Sequence, residues 1–91
     1  MKFLSLNCAQ IVRDGGIDAM AALNQALNEA LLNLSPQEQR DLKLVFGQVM
    51  GEVMDKIINP TIYAFPELEP SENTWIAVAK VRAAARFNAM A

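Results

Sequence analysis

The chain has 91 residues, of which 53% are hydrophobic and 20% charged, and its formal net charge is −2. This balance excludes an overall basic field that would attract nucleic acid or an anionic membrane, and the absence of histidine removes the commonest general base and metal ligand. The length predicts a single helical domain over residues 1–91, and the single cysteine, which excludes an intramolecular disulfide, suits a cytoplasmic protein.

The surplus of apolar residues is largely alanine and methionine, which favours close helix packing over a β-sandwich core. We therefore expect an all-α fold of four helices: a short N-terminal helix, a central αα-hairpin, a proline-rich strap and a C-terminal helix. No run of about 18 apolar residues is present to span a membrane. Polar residues interrupt the first apolar run, so we expect neither a signal peptide nor a lipid anchor.

The first predicted helix begins near Ser5, which can cap it, and ends at Gly15-Gly16. Its apolar face includes Leu4 and Cys8, and we expect this cysteine to be a core residue rather than a reactive thiol. A second helix follows with Asp18 as its N-cap, and "AMAALNQALNEALLNL" places an apolar stripe opposite a face rich in asparagine and glutamine. We expect solvent at the amide-rich face, with an amide-lined contact as the alternative.

The third predicted helix begins at Ser35-Pro36-Gln37-Glu38, a capping box with proline at the first helical position. We expect it to end at Ile58, because Pro60 disfavours helical geometry in the residue before it. The short linker to the second helix predicts an αα-hairpin. Apolar residues cover more than half of the circumference of this helix, which is typical of a buried helix. So short a chain cannot surround it, and we expect part of its surface to contact a second chain.

Two glycines, Gly47 and Gly51, interrupt this helix at a cost of about 1 kcal/mol each relative to alanine. Their spacing of four removes side chains from one strip of the helix, where another backbone can approach closely. Two neighbours remain open at this point, namely the last helix of the same chain and a second copy. The predicted homodimer contact comprises Gly47, Met50, Gly51, Met54 and Ile58.

The segment "NPTIYAFPELEPSEN" contains three prolines and predicts an ordered strap. We expect one helical turn from Asn59-Pro60 to Ala64, and the alternative is a recognition loop that presents Tyr63 and Phe65. Ser71 or Thr74 caps the last helix, in which Trp75 shares a narrow face with two arginines, a combination enriched in binding hot spots. The alternative is that Trp75 is an ordinary core residue. The predicted partner-binding residues are Tyr63, Phe65, Trp75, Arg82 and Arg86.

The turn "PTIYAFP", the acidic stretch after it and the helix "VAKVRAAARF" resemble bacteriocin nuclease immunity proteins. Those proteins are small acidic helical bundles that block a toxin through their second helix and a tyrosine-bearing turn. The resemblance covers residues 60–87, and Tyr63 is the position that carries over. The second predicted helix lacks the acidic face that such inhibitors present to a basic nuclease, so we do not assign the chain to this family.

Carboxylates such as Asp41, Glu52 and Asp55 lie on a solvated strip of the third helix, so we expect no enzyme, no cofactor and no metal. The sequence predicts a non-enzymatic protein that binds another protein, as a homodimeric regulator, antagonist or adaptor of bacterial or phage origin. The alternative is a small nucleic-acid-binding regulator that uses the basic C-terminal helix through Lys80, Arg82 and Arg86. A third hypothesis is a small-molecule pocket between the alanine-rich helices.

Overall fold

The computed structural model describes residues 5–90, with side chains through residue 89, and this part of the chain is all-α without strands. The long first helix, Leu6–Leu31, lies at the centre and packs against the second and the last helices. Those two helices have no comparable contact with each other. Within residues 5–90, every helix is too short or too polar to cross a bilayer. In chain order the elements are α1 (Leu6–Leu31), α2 (Pro36–Val53), a π-helical turn (Met54–Ile58), α3 (Asn59–Ala64), a 3-10 turn (Pro66–Leu68) and α4 (Glu72–Met90).

The central helix α1 is one continuous helix of 26 residues where the sequence predicts two. Ser5 caps it as predicted, because its hydroxyl accepts a hydrogen bond of 3.1 Å from the backbone N–H of Cys8. The predicted stop at Gly15-Gly16 and the predicted N-cap at Asp18 are wrong, since these residues lie inside α1. The chain therefore has three helical rods: α1, the run from α2 to α3, and α4.

Gly16 is buried inside α1 because a side chain of the π turn occupies the space beside it. A Cβ atom on Gly16 would lie 2.5 Å from Cγ1 of Ile58, which no real packing permits. Gly16 therefore allows Ile58 to pack directly against the backbone of α1, and it does not terminate the helix.

The buried face at the start of α1 also differs from the predicted one. Cys8, expected in the core, is exposed, and Ile11 is 58% exposed. Leu4, which began the predicted stripe, lies outside the described residues. The buried residues keep the i, i+4, i+7, i+8 spacing but begin five positions after Leu4: Ala9, Arg13, Gly16 and Ile17.

The corner between α1 and α2 is built as the sequence predicts. The hydroxyl of Ser35 accepts from the N–H of Glu38 at 3.3 Å, and the Glu38 carboxylate accepts from the N–H of Ser35 at 3.1 Å. The side-chain amide of Gln39 donates to the carbonyls of Leu31 and Leu34, at 3.2 and 3.1 Å. These bonds satisfy backbone groups that a helix end leaves free, so the αα-hairpin begins with a fixed geometry.

The chain stays helical through Pro60, contrary to the predicted stop at Ile58. In an α-helix the proline ring would clash with the carbonyl of Lys56, and the proline has no N–H to donate. The helix widens instead, because the N–H of Asn59 bonds to the carbonyl of Met54, five residues back. It then continues as α3, which confirms the predicted helical turn at this point.

The core lies where α1 meets the π turn, α3 and the 3-10 turn. Arg13 is 7% exposed, and its guanidinium bonds to Asp14 at 2.8 and 3.0 Å and to the carbonyl of Leu68 at 3.0 Å. This arginine fastens the 3-10 turn to α1, a role that the sequence does not reveal. Buried hydrophobic residues are few in the part of the chain that the structure describes: Ala9, Ile17, Ile58 and Leu68.

The molecule is more open than its length requires. Its radius of gyration is 14.9 Å, whereas a compact domain of this length has about 12 Å. It exposes 6380 Å², whereas a folded monomer of this mass exposes about 5,240 Å². The fold therefore leaves a large surface that its own helices do not cover.

Candidate functional site

The helix α2 has 18 residues and none of them is buried, although the sequence predicts a buried helix. Its contact with α1 is one half-buried stripe that includes Leu42, Phe46 and Met50. The remaining apolar surface faces outward, and three of its side chains are strongly exposed: Leu44 at 64%, Val45 at 53% and Val49 at 46%. A helix packed along a single stripe keeps the rest of its apolar circumference available for another molecule.

An apolar groove of about 320 Å³ runs between α2 and α4 above α1, and we call it the α2–α4 groove. Among its lining residues, Asn24 and Trp75 have side chains that carry nitrogen or oxygen atoms. The sequence does not reveal this groove, because its walls come from helices far apart in the chain. The residues that form it include Ile17, Met20 and Ala21 on the floor, Met50 on the α2 wall, and Trp75 and Ile76 on the α4 wall.

The groove is open along one side, which decides the kind of occupant it suits. Small-molecule sites usually enclose 70 to 90% of their ligand, whereas this groove has a floor and two walls and leaves the outer side of an occupant uncovered. An amphipathic helix needs no more than this, since only its apolar face has to be covered. The geometry therefore favours a helical polypeptide over a small apolar ligand.

The glycine strip, Gly47 and Gly51, lies on the outer side of this groove. At 100° per residue both glycines follow Met50 around α2 in the direction away from α1. A Cβ atom on either one would meet nothing within 4 Å. Packing of the strip against the last helix of the same chain, one of the two alternatives, is therefore wrong. Contact with a second copy of the chain is the alternative that remains.

The residues of the predicted homodimer contact have different environments. Met50 and Met54 are half-buried beside the glycine strip, with Met50 in the groove wall. Ile58 is fully buried, so its inclusion in that contact is wrong. The π turn directs Ile58 onto Gly16 and into the core of its own chain.

The predicted partner-binding aromatic residues are spread over different elements. Tyr63 is 80% exposed near the end of α3, and Phe65, which follows α3, is half-buried. Trp75 is half-buried and lines the groove, so it is neither enclosed core nor a free surface residue. The structure thus places Trp75 in the candidate site and leaves Tyr63 as a separate exposed position.

The two predicted partner-binding arginines face α1. Arg86 forms an ion pair with Asp18. Nη2 of Arg82 lies 3.5 Å from the position that a Cβ atom of Gly15 would occupy. Their position in α4 therefore serves the packing of α4 on α1. The sequence signal that would have revealed it was Asp18, a carboxylate inside α1 that resembles a helix cap.

Across residues 5–90, no three Cys, Asp or Glu side chains are grouped closely enough to hold a metal ion. Comparisons of the chain with protein-family models, with curated proteins and with solved structures found no match.

Proposed function

We propose that this protein acts without catalysis, by binding another polypeptide through the outer face of α2 and the α2–α4 groove. The observation that carries the proposal is that α2 has no buried residue, while Leu44 beside the glycine strip and Ile76 on the facing wall of the groove are exposed. Large contiguous apolar patches are rare on soluble monomers, and where they occur they usually mark a binding site.

The amount of uncovered surface has the size of a protein interface. The chain exposes 6380 Å², which is about 1,100 Å² more than a compact monomer of its mass. Each partner in a stable protein complex typically buries about 800 Å². The excess is therefore large enough to accommodate an interface of ordinary size.

The arrangement of the helices supports a helical partner. The helices α2 and α4 both pack on α1 and leave the space between them open. The fold therefore resembles a four-helix bundle that lacks one helix. A helix in the groove would contact α1, α2 and α4 together. A regulator, antagonist or adaptor needs only such a surface.

The alternative of nucleic-acid binding depends on the basic residues of α4. Arg86 is paired with Asp18 and Arg82 lies against α1, which leaves Lys80 as the freely exposed cation of the three. We expect no salt-sensitive retention of a labelled duplex in a gel-shift assay. Retention that disappears in an Arg82→Ala/Arg86→Ala variant would favour this alternative.

Site-specific photo-crosslinking in the cells that make the protein tests the proposed function. A photoreactive phenylalanine analogue replaces Leu44 on α2 or Ile76 in the groove, and the control replaces Val81, which is 67% exposed on another face of α4. We expect protein adducts from the first two positions and few from the third. Equal yields at all three positions, or no adduct at any of them, would contradict the proposal.

A further inference from the structure

We infer that the polypeptide that covers this surface is α2 of a second copy, antiparallel to the first, with the two glycine strips in contact. The inference depends on the proposed function, because it names the partner for the same surface. It gives Gly47 and Gly51 a role that the described residues do not supply, since a Cβ atom on either would meet none of them within 4 Å.

The glycines explain how closely two helices can approach at this place. In a helix interior each glycine costs about 1 kcal/mol relative to alanine. Gly16 offsets that cost by admitting Ile58, but Gly47 and Gly51 have no such neighbour among the described residues. A second α2 laid across the strip brings backbone against backbone, as stripes of small residues allow in other helix pairs.

The spacing of the glycines sets the register of the pair. In an antiparallel arrangement that places Gly47 beside the partner's Gly51, the two-fold axis passes at the level of Val49. Leu44 then lies level with the partner's Met54. Leu44 is 64% exposed and lies on the same side of α2 as the strip, so this register covers one of the most exposed apolar side chains of the helix.

The area fits a dimer of two identical chains. An excess of about 1,100 Å² on each copy amounts to about 2,200 Å² for the pair, which lies in the range of homodimer interfaces. The second α2 also faces the far wall of the groove, where Ile76 is 49% exposed. A symmetric pair therefore covers the strip and the groove of both copies at once.

Two neighbouring residues of α2 give a matched test by sedimentation equilibrium. Leu44 and Val45 are both exposed and apolar, but Leu44 borders the glycine strip and Val45 lies on the other side of the helix. We expect Leu44→Glu to raise the dimer dissociation constant at least tenfold and Val45→Glu to leave it unchanged. Because neither side chain is buried, both variants should keep the helical circular dichroism of the parent. A larger effect of Val45→Glu would overturn the inference.

A purified parent that stays monomeric would overturn the inference of a second copy. Photo-adducts to a different protein from positions 44 and 76 would then still support the proposed function. Absence of those adducts, together with a monomeric parent, would overturn both.

Discussion

Ile58 packs directly onto the backbone of Gly16, and this contact joins the π-helical turn to the middle of α1. A Cβ atom on Gly16 would lie 2.5 Å from Cγ1 of Ile58, and Ile58 is fully buried. The contact explains why α1 carries a glycine pair without ending there. It also explains why Ile58 is not available to a second chain.

Replacement of Gly16 by alanine should destabilise the fold. The added methyl group requires movement of a side chain that has no free space, and such overpacking costs about 1 to 3 kcal/mol. The higher helix propensity of alanine relative to glycine offsets about 1 kcal/mol of this cost. We expect a net loss of about 1 to 2 kcal/mol in the free energy of unfolding, measured by urea denaturation.

The neighbouring Gly15→Ala variant is the control for this measurement. A Cβ atom on Gly15 would lie 3.5 Å from Nη2 of Arg82, which is an ordinary contact. It should therefore leave stability unchanged or raise it by up to about 1 kcal/mol. Equal stability of the two variants would show that the Gly16 contact is not tight.

Arg13→Met should loosen the 3-10 turn from α1. The substitution keeps much of the apolar stem but removes the hydrogen bonds to the Leu68 carbonyl and to Asp14. A buried hydrogen bond from a charged group contributes about 1.5 to 3 kcal/mol. We expect a loss of this size in chemical denaturation. Arg40→Met is the control, because Arg40 is exposed and bonds to Gln37 on the surface of α2, and it should cost less than about 0.5 kcal/mol.

Asp18→Ala should weaken the packing of α4 on α1. The substitution removes the carboxylate that pairs with Arg86, so Arg82 and Arg86 would lie against α1 without a negative charge at position 18. Because Arg86 is 48% exposed, solvent screens the pair, and we expect a loss of about 1 kcal/mol. Amides of α4 should exchange with deuterium faster than in the parent. Exposed Asp41→Ala, on α2, should leave that exchange unchanged, and unchanged exchange in Asp18→Ala would contradict the role of the pair.

The capping box at Ser35 predicts a pH dependence at the start of α2. Hydrogen bonds from the side chain and then the backbone of Ser35 hold the pKa of the Glu38 carboxyl below its ordinary value. The contribution of Glu38 is therefore present above that ordinary value and is lost as the pH falls through the lowered pKa. In a carboxyl titration by NMR, Ser35→Ala should raise the pKa of Glu38 toward its ordinary value. An unchanged pKa would show that the capping box does not form in solution.

The capping box, Ser5 as the first cap and the helical turn at Asn59-Pro60 follow from local patterns, and the structure confirms each of them. The serine at position 71 likewise accepts from the N–H of Thr74, which selects it from the two predicted caps of α4. Such features are predictable because the groups that interact lie within four residues of one another.

The predicted helix stop at Gly15-Gly16 is wrong because a local pattern cannot reveal a distant neighbour. Gly15-Gly16 resembles a helix stop, yet the reason for Gly16 is Ile58, more than 40 residues away in the chain. No described residue lies within 4 Å of a Cβ atom built on Gly47 or Gly51, so contacts among residues 5–90 do not explain these two glycines. The groove has the same origin, since Met20, Met50 and Ile76 meet only after three helices are packed.

Sedimentation equilibrium of the purified, unmodified chain tests the central claim most directly. If the apolar surface of α2 exists to be covered, the mass should approach twice the 10.0 kDa of one chain as concentration rises. A constant mass of one chain up to the highest concentration that stays in solution, with no adduct from position 44 or 76 in cells, would contradict the account.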